Sequence, residues 1–193
     1  MRKPGEKTAA EMRAALSGIR CFLLDMDGTF YLGDRIIEGS MEFLQKVEQT
    51  GRSYLFLTNN SSRSVQHYVE KLGRLGLHVG EDKILTSGQA ATQYLKREYP
   101  GKRVFLLGNP SLREEVEKHG IALEDEHPDL VLVGFDTTLD YAKMTRVCDL
   151  VREGLPYIAT HPDFNCPTES GFIPDIGAIM AFIEASTGRR ADL

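Results

Sequence analysis

Two carboxylates, Asp25 and Asp27, stand two residues apart at the end of an apolar run that begins at Ile19 and is broken only by Arg20. On a strand, alternate residues share a face, so both side chains leave the strand's end on one side. Like charges held that close are costly unless a cation or a shared proton accommodates them. Such a pair suits chemistry on phosphate. Asp25 could attack phosphorus and form an aspartyl-phosphate, splitting one hard displacement into two easier ones. Asp27 could protonate the leaving oxygen and then activate water. Magnesium would bridge the Asp25 carboxylate and phosphate oxygens while keeping several waters. Gly28 lets the backbone turn so that amides face the phosphate. The plain alternative for Asp25-Met26-Asp27-Gly28-Thr29 is an acidic strand-to-loop turn, where Asp and Gly are common.

A second group follows the next apolar run, as Thr58-Asn59-Asn60. Ligands of open α/β sheets bind at the carboxyl ends of strands, so this hydroxyl and these amides are candidates to hold a phosphoryl oxygen. Taken alone, Asn and Ser here read rather as a helix cap, and it is the position one strand after Asp25 and Asp27 that favours phosphate binding. His161 lies in a loop after a later strand, where it could face the leaving group of a phosphate ester or bond to its own turn. His67, His78, His119 and His127 read as surface residues.

The elements that must position these groups alternate from the start. Strands are expected at Ile19–Asp25 (buried on both faces), Ser53–Leu57, Lys83–Thr86, Arg103–Leu107, Asp129–Val133 and Tyr157–Thr160. Helices are expected at Gly39–Thr50, Arg63–Leu75, Gly88–Glu98, Pro110–His119 and Tyr141–Glu153. The second of these carries a stripe of Val65, Tyr68, Val69, Leu72 and Leu75. A last helix is marked by Ile176, Ile179, Met180 and Ile183, with Asp175 as its cap. Strands alternating with crossover helices imply an α/β fold with a parallel sheet.

The 193 residues, 41% hydrophobic and 26% charged, fit a soluble globular protein with one sizeable core or two small ones. A net charge of −5 with scattered basic residues argues against a nucleic-acid or acidic-membrane surface. Cys21, Cys148 and Cys166 lack metal-ligand spacing, and the first two read as small buried hydrophobes. Reduced thiols, the absence of an apolar stretch in Met1–Lys7, and no run of roughly 18 apolar residues place the expected location in the cytoplasm, without a membrane span.

Asp25-Met26-Asp27-Gly28-Thr29 and Thr58-Asn59-Asn60 together resemble the first two motifs of the haloacid dehalogenase superfamily of phosphatases. Ala159-Thr160-His161-Pro162-Asp163 and Pro174-Asp175-Ile176-Gly177-Ala178 resemble loops of the inserted cap in its p-nitrophenylphosphatase-like and N-acetylglucosamine-operon phosphatase branch, subfamily IIA. The resemblance runs from about Ile19 to the last residue. It implies a partial Rossmann-like core with a parallel sheet at 1–86, an inserted α/β cap at 87–188, and a return to the core at 189–193. It implies a magnesium-dependent hydrolase of small phosphorylated metabolites, with Asp25 as nucleophile and metal ligand. Asp27 would be the acid/base, its backbone carbonyl also on the metal, and Gly28, Thr58, Asn59 and Asn60 would hold phosphate. The cap, with His161, would choose the leaving group.

The family pattern continues with a Gly-Lys-Pro segment and an acidic Gly-Asp motif, and neither precedes Leu193. The expectation is a truncated form with impaired activity. The strand Ile19–Asp25 should then have an open edge favouring a homodimer or aggregation. A non-catalytic module that binds a phosphometabolite or a partner is the alternative. A signalling receiver fits less well, since the phosphorylated Asp of a receiver follows the third strand, where this chain has Thr86-Ser87.

Overall fold

The computed structural model describes residues 8–168 and 171–193. Met1–Lys7, from which the lack of a leader was inferred, lies outside the described residues, as do Glu169 and Ser170 of the loop after His161. The chain separates into two compact units, Met1–Phe56 and Leu57–Leu193.

The first unit opens with helix α1 (Ala9–Ser17), which the apolar pattern did not announce. Its signal is polar: Thr8 Oγ1 accepts from the Glu11 amide at 3.0 Å while Glu11 accepts from the Thr8 amide at 2.6 Å, a capping box. Strand β1 (Cys21–Asp25) follows, then a short antiparallel hairpin of β2 (Tyr31–Leu32) and β3 (Arg35–Ile36). Helix α2 (Ser40–Gln49) buries Leu44 and Val47, and the unit ends within β4 (Ser53–Thr58).

The expectation that β1 is buried on both faces is corrected. Phe22 packs edge-on against Phe43 of α2 at 5.3 Å, but Cys21, Leu23 and Asp25 on the other face are exposed, Leu23 by 65%. Cys21 is therefore not a buried hydrophobe, whereas Cys148 is buried. The cause is one-sided cover: among the described strands β1 neighbours only β4, beside which the Ser53 amide donates to the Arg20 carbonyl at 2.9 Å. That makes β1 an edge strand among the described residues.

In the second unit the end of β4 leads into α3 (Val65–Arg74), a 3-10 turn at Glu81–Lys83, and β5 (Ile84–Thr86), which lies beside β4. After α4 (Ser87–Glu98) the chain builds a separate sheet. Strands β6 (Val104–Leu107), β7 (Leu130–Val133) and β8 (Tyr157–Ala159) run parallel in that order, linked through α5 (Pro110–Lys118) and α6 (Tyr141–Arg152). Every residue of β6 and β7 is buried, the unbroken apolar run that a sheet covered on both faces demands. One face (Phe105, Leu107, Val131, Val133) packs on α6 and on the last helix, α7 (Ile176–Thr187), and the other (Val104, Leu106, Leu130, Leu132) on α4 and α5.

Between β8 and α7 the chain forms a hairpin of β9 (Asn165–Thr168) and β10 (Gly171–Pro174), where the sequence pattern suggested only a loop. Nearly all its side chains are exposed, so no alternation marked it. Helix α7 (Ile176–Thr187) is capped by Asp175, and Asp192 and Leu193 then bond along β8. Among the described residues no helix is long and apolar enough to cross a membrane.

Candidate active site

In the first unit the chain leaves β1 through a tight turn pinned by one buried residue. Met26 is wholly buried, and its carbonyl accepts from the amides of Phe30 and Tyr31 at 2.9 and 3.1 Å. Gly28 sits at φ +82°, where a side chain would strain the backbone, and its amide donates to the Tyr31 carbonyl at 2.7 Å. The two carboxylates flanking Met26 are exposed. Thr29 Oγ1 donates to Asp25 Oδ2 at 3.0 Å, and the buried Tyr31 hydroxyl donates to Asp27 Oδ2 at 3.1 Å. Among the described residues no hydrogen bond reaches Asp25 Oδ1. Asp25 lines a cleft of about 330 Å³ with Thr29, Phe30, Glu38, Ser40 and Phe43. An oriented carboxylate with one uncommitted oxygen in an open cleft can act as a nucleophile.

Among the described residues that line this cleft the polar side chains, Asp25, Glu38, Thr29 and Ser40, all offer oxygen. That donor set fits a hard cation such as magnesium, which takes one or two carboxylates and fills its octahedron with water and phosphate.

In the second unit, Thr58 at the end of β4 is buried and its Oγ1 accepts from the Asn60 amide at 3.2 Å. Its hydroxyl proton has no acceptor among the described residues, so a donor remains for an anionic oxygen. The two asparagines are more fully engaged. Asn60 Oδ1 accepts from the Ser62 amide and hydroxyl at 2.8 and 2.7 Å. The Asn59 amide donates to the Asp163 carboxylate, and its carbonyl accepts from Ser87 Oγ at 2.5 Å. Neither caps a helix. The cap of α3 is Ser64, whose Oγ accepts from the His67 amide at 3.3 Å.

Residues that sequence reasoning passed over hold this loop. Ser61, wholly buried, accepts from the Phe135 amide at 2.8 Å and bonds to Thr160 Oγ1 at 3.1 Å. Asn109 donates to the Ser62 carbonyl at 2.8 Å while its Oδ1 caps α5 at the Leu112 amide. The Asn109-Pro110 pair was a legible cap signal; its bond to Ser62 was not.

His161 is buried. Its Nε2 lies 3.1 Å from Asp175 Oδ1 and its Nδ1 3.4 Å from Thr160 Oγ1, so both ring nitrogens have protein partners. Asp175 Oδ1 also accepts from the Ile176 amide at 2.7 Å. Beside it the Gly177 amide donates to the Asp163 carbonyl at 2.7 Å, an approach so close that a Cβ on Gly177 would lie 2.4 Å from the Pro162 carbonyl oxygen.

The family model of haloacid dehalogenase-like hydrolases matches residues 22–122. The chain belongs to that family. Among its relatives, an acid sugar phosphatase of Staphylococcus aureus (strain MRSA252) is 34% identical over 170 residues, covering 88% of this chain and 66% of that protein. Among solved structures, a 4-nitrophenylphosphatase from Thermotoga maritima superposes with a TM-score of 0.89 at 47% identity, covering 91% of this chain and 67% of that one. A glycerol phosphate phosphatase from Mycobacterium tuberculosis, in complex with magnesium, gives 0.82 at 30% identity, covering 91% and 54%. The chain thus spans 66% of the length of the curated relative it matches. In this chain the first unit brings together Asp25, Asp27 and Gly28. The second holds Thr58, Asn59, Asn60 and His161.

Proposed function

We propose that the whole protein is a magnesium-dependent phosphomonoesterase acting on a small phosphorylated metabolite through an aspartyl-phosphate on Asp25. The observation that carries this is the Asp25 carboxylate, exposed in its cleft, oriented through Oδ2 and uncommitted at Oδ1. Asp25 Oδ1 attacks phosphorus, the bond to the ester oxygen breaks, and Asp27 gives that oxygen a proton. Asp27 then takes a proton from water as the water attacks the acyl phosphate, releasing inorganic phosphate and restoring Asp25. Tyr31 holds the Asp27 carboxyl in place through its hydroxyl. Thr58 donates its spare hydroxyl proton to a phosphoryl oxygen, and Gly28, Asn59 and Asn60 are the further candidates for phosphate binding. Magnesium, when held by Asp25 and the Asp27 carbonyl, supplies charge neutralisation for the phosphoryl group.

The names of the relatives, which act on acid sugar, nitrophenyl and glycerol phosphates, support a small ester as substrate. We place the choice of ester in 87–188, the proposed cap, and especially in the loop from His161 to Ile173. The test is phosphate release from 4-nitrophenyl phosphate with magnesium and with chelator, together with acid-quenched trapping of labelled phosphate. Label on Asp25 that hydroxylamine removes is expected. Turnover indifferent to chelation, or label elsewhere, would overturn the reading.

A further inference from the structure

The second unit contains a cleft that this chemistry does not use. It opens at the outer edge of β6 beyond Val104, between α5 and α6, with a volume of about 420 Å³, and is lined by Phe105, Leu106, Gly108, Arg113, Lys143 and Arg146. That size is ordinary for a small-molecule site. We propose that it binds a small organic anion, with a phosphate or carboxylate group held at Arg146 and Arg113 and an apolar part lying on Phe105 and Ala142.

The charges decide this. Lys143 is spent, since its ammonium pairs with the buried Asp136 carboxylate at 2.7 Å and bonds to Thr138 Oγ1 at 2.8 Å. Arg113 already faces two carboxylates, Asp125 at 3.5 Å, which also borders the cleft, and Glu117 at 4.0 Å, and so adds only a secondary contact. Arg146 differs. Its Nε and Nη2 donate to the carbonyls of Asp125 and Glu126 at 3.2, 2.9 and 2.7 Å. Those acceptors are neutral, so the guanidinium is fixed in position while its charge meets no carboxylate among the described residues, and Nη1 is left to donate. A pinned fork loses little entropy when an anion arrives.

The backbone adds a donor. Val104 bonds outward, its amide to Ala122 and its carbonyl to Glu124, while the Leu107 carbonyl accepts from Gly134 on the β7 side. By alternation the Leu106 amide also faces the outer edge. Among the described residues the segment pairing with Val104 makes no backbone bond to Leu106. The anion therefore meets a guanidinium and a strand-edge amide over an aromatic wall.

Phenylphosphonate is the probe, because it has both parts and no hydrolysable ester. Titration followed by backbone amide NMR should shift Leu106, Gly108, Ala142 and Arg146 together. Arg146→Gln should weaken that binding about tenfold or more, as expected for a lost charged hydrogen bond. Because Arg146→Gln also loosens the turn at Asp125, a second variant is needed: Ala142→Phe fills the cleft from the exposed side of α6 and should abolish the shifts while the rest of the spectrum stays native. Asp25→Asn should leave the affinity read at these amides unchanged, so the outcome is independent of the phosphatase reading. Absence of these shifts at millimolar probe, wild-type affinity in Arg146→Gln, or equal binding of uncharged benzyl alcohol would overturn the proposal.

Discussion

The turn at 25–31 and the loop at 161–177 both carry an acid beside a potential proton carrier, yet they are built in opposite ways. In the first, a buried Met26 anchors the backbone while Asp25 and Asp27 stay exposed, each steadied by one hydroxyl. In the second, His161 and Asp175 are themselves the buried anchors, and the residues around them, Pro162 to Asn165, are exposed. A carboxylate that must attack needs an uncommitted oxygen; a carboxylate that must hold a helix and a ring needs every partner it can find. Engagement of polar atoms, more than residue type, separates chemistry from scaffolding here.

The strongest way to break this contrast is Asp25→Asn. The carboxamide keeps the shape and can still accept from Thr29, but loses nucleophilicity and negative charge. Phosphomonoesterase turnover of the whole protein should fall by about 1,000-fold or more, with thermal unfolding nearly unchanged because the side chain is exposed. Near-native turnover in steady-state assays would remove Asp25 from the nucleophile's role.

Asp175→Ala should do the reverse. It strips α7 of its cap and leaves the buried His161 ring without its acceptor, at a cost of about 2–4 kcal/mol. Denaturant unfolding checks this, and a loss under about 0.5 kcal/mol, the range of ordinary surface substitutions, would mean that the pair is not an anchor.

How much of this was legible depended on range. Strands β6 and β7 and the stripe of α3 announced themselves because burial on both faces, or along one helical face, writes a local pattern. Asp25, Asp27 and Thr58, the residues of the proposed site, stood out because strand ends are where α/β sheets present ligand-binding groups. The exposed face of β1 was not, since Leu23 looks like any core leucine until the cover over it is known. Helix α1 has a cap but no buried stripe among its described side chains, and the described side chains of β9 and β10 are nearly all exposed. The Ser61–Phe135 and Asn109–Ser62 bonds were silent because their partners lie 74 and 47 residues apart.

A subtler test concerns His161. Its ring fastens the start of the loop to α7, so His161→Ala should act through that loop. The ranking of phosphate esters should change by roughly 3- to 10-fold in kcat/KM, about 0.7–1.4 kcal/mol of differential binding, while the smallest ester is spared. Equal losses for every ester would reduce His161 to a structural part and sharpen the contrast with Asp25.

The smallest effect is expected at Glu115, where a carboxylate is buried without the partners that Asp175 enjoys. Among the described residues only Thr86 Oγ1 reaches it, donating to Oε1 at 3.3 Å, and Oε2 has no partner. Burial holds its carboxyl above the ordinary carboxylate range, opposed by the nearby His119 and Lys118 and reinforced by Glu81. Across the window between the ordinary and the raised value, the folded chain binds more protons at this site than the unfolded chain. Its contribution to stability therefore falls as pH rises through that window and stays low above it. Carboxylates with lowered values, such as the half-buried Asp129 beside Arg103, tilt the curve the other way in both proteins. The informative quantity is thus the difference between wild type and Glu115→Gln, which keeps the acceptor for Thr86 and removes the charge. Near pH 4 the two should melt together. At pH 7 the variant should be more stable by about 1 kcal/mol, roughly 2–4 °C for a chain of this length. A variant less stable at pH 7, or a gap that closes as pH rises, would show that the buried carboxylate has partners enough and that scaffold acids in this protein are all satisfied in the manner of Asp175.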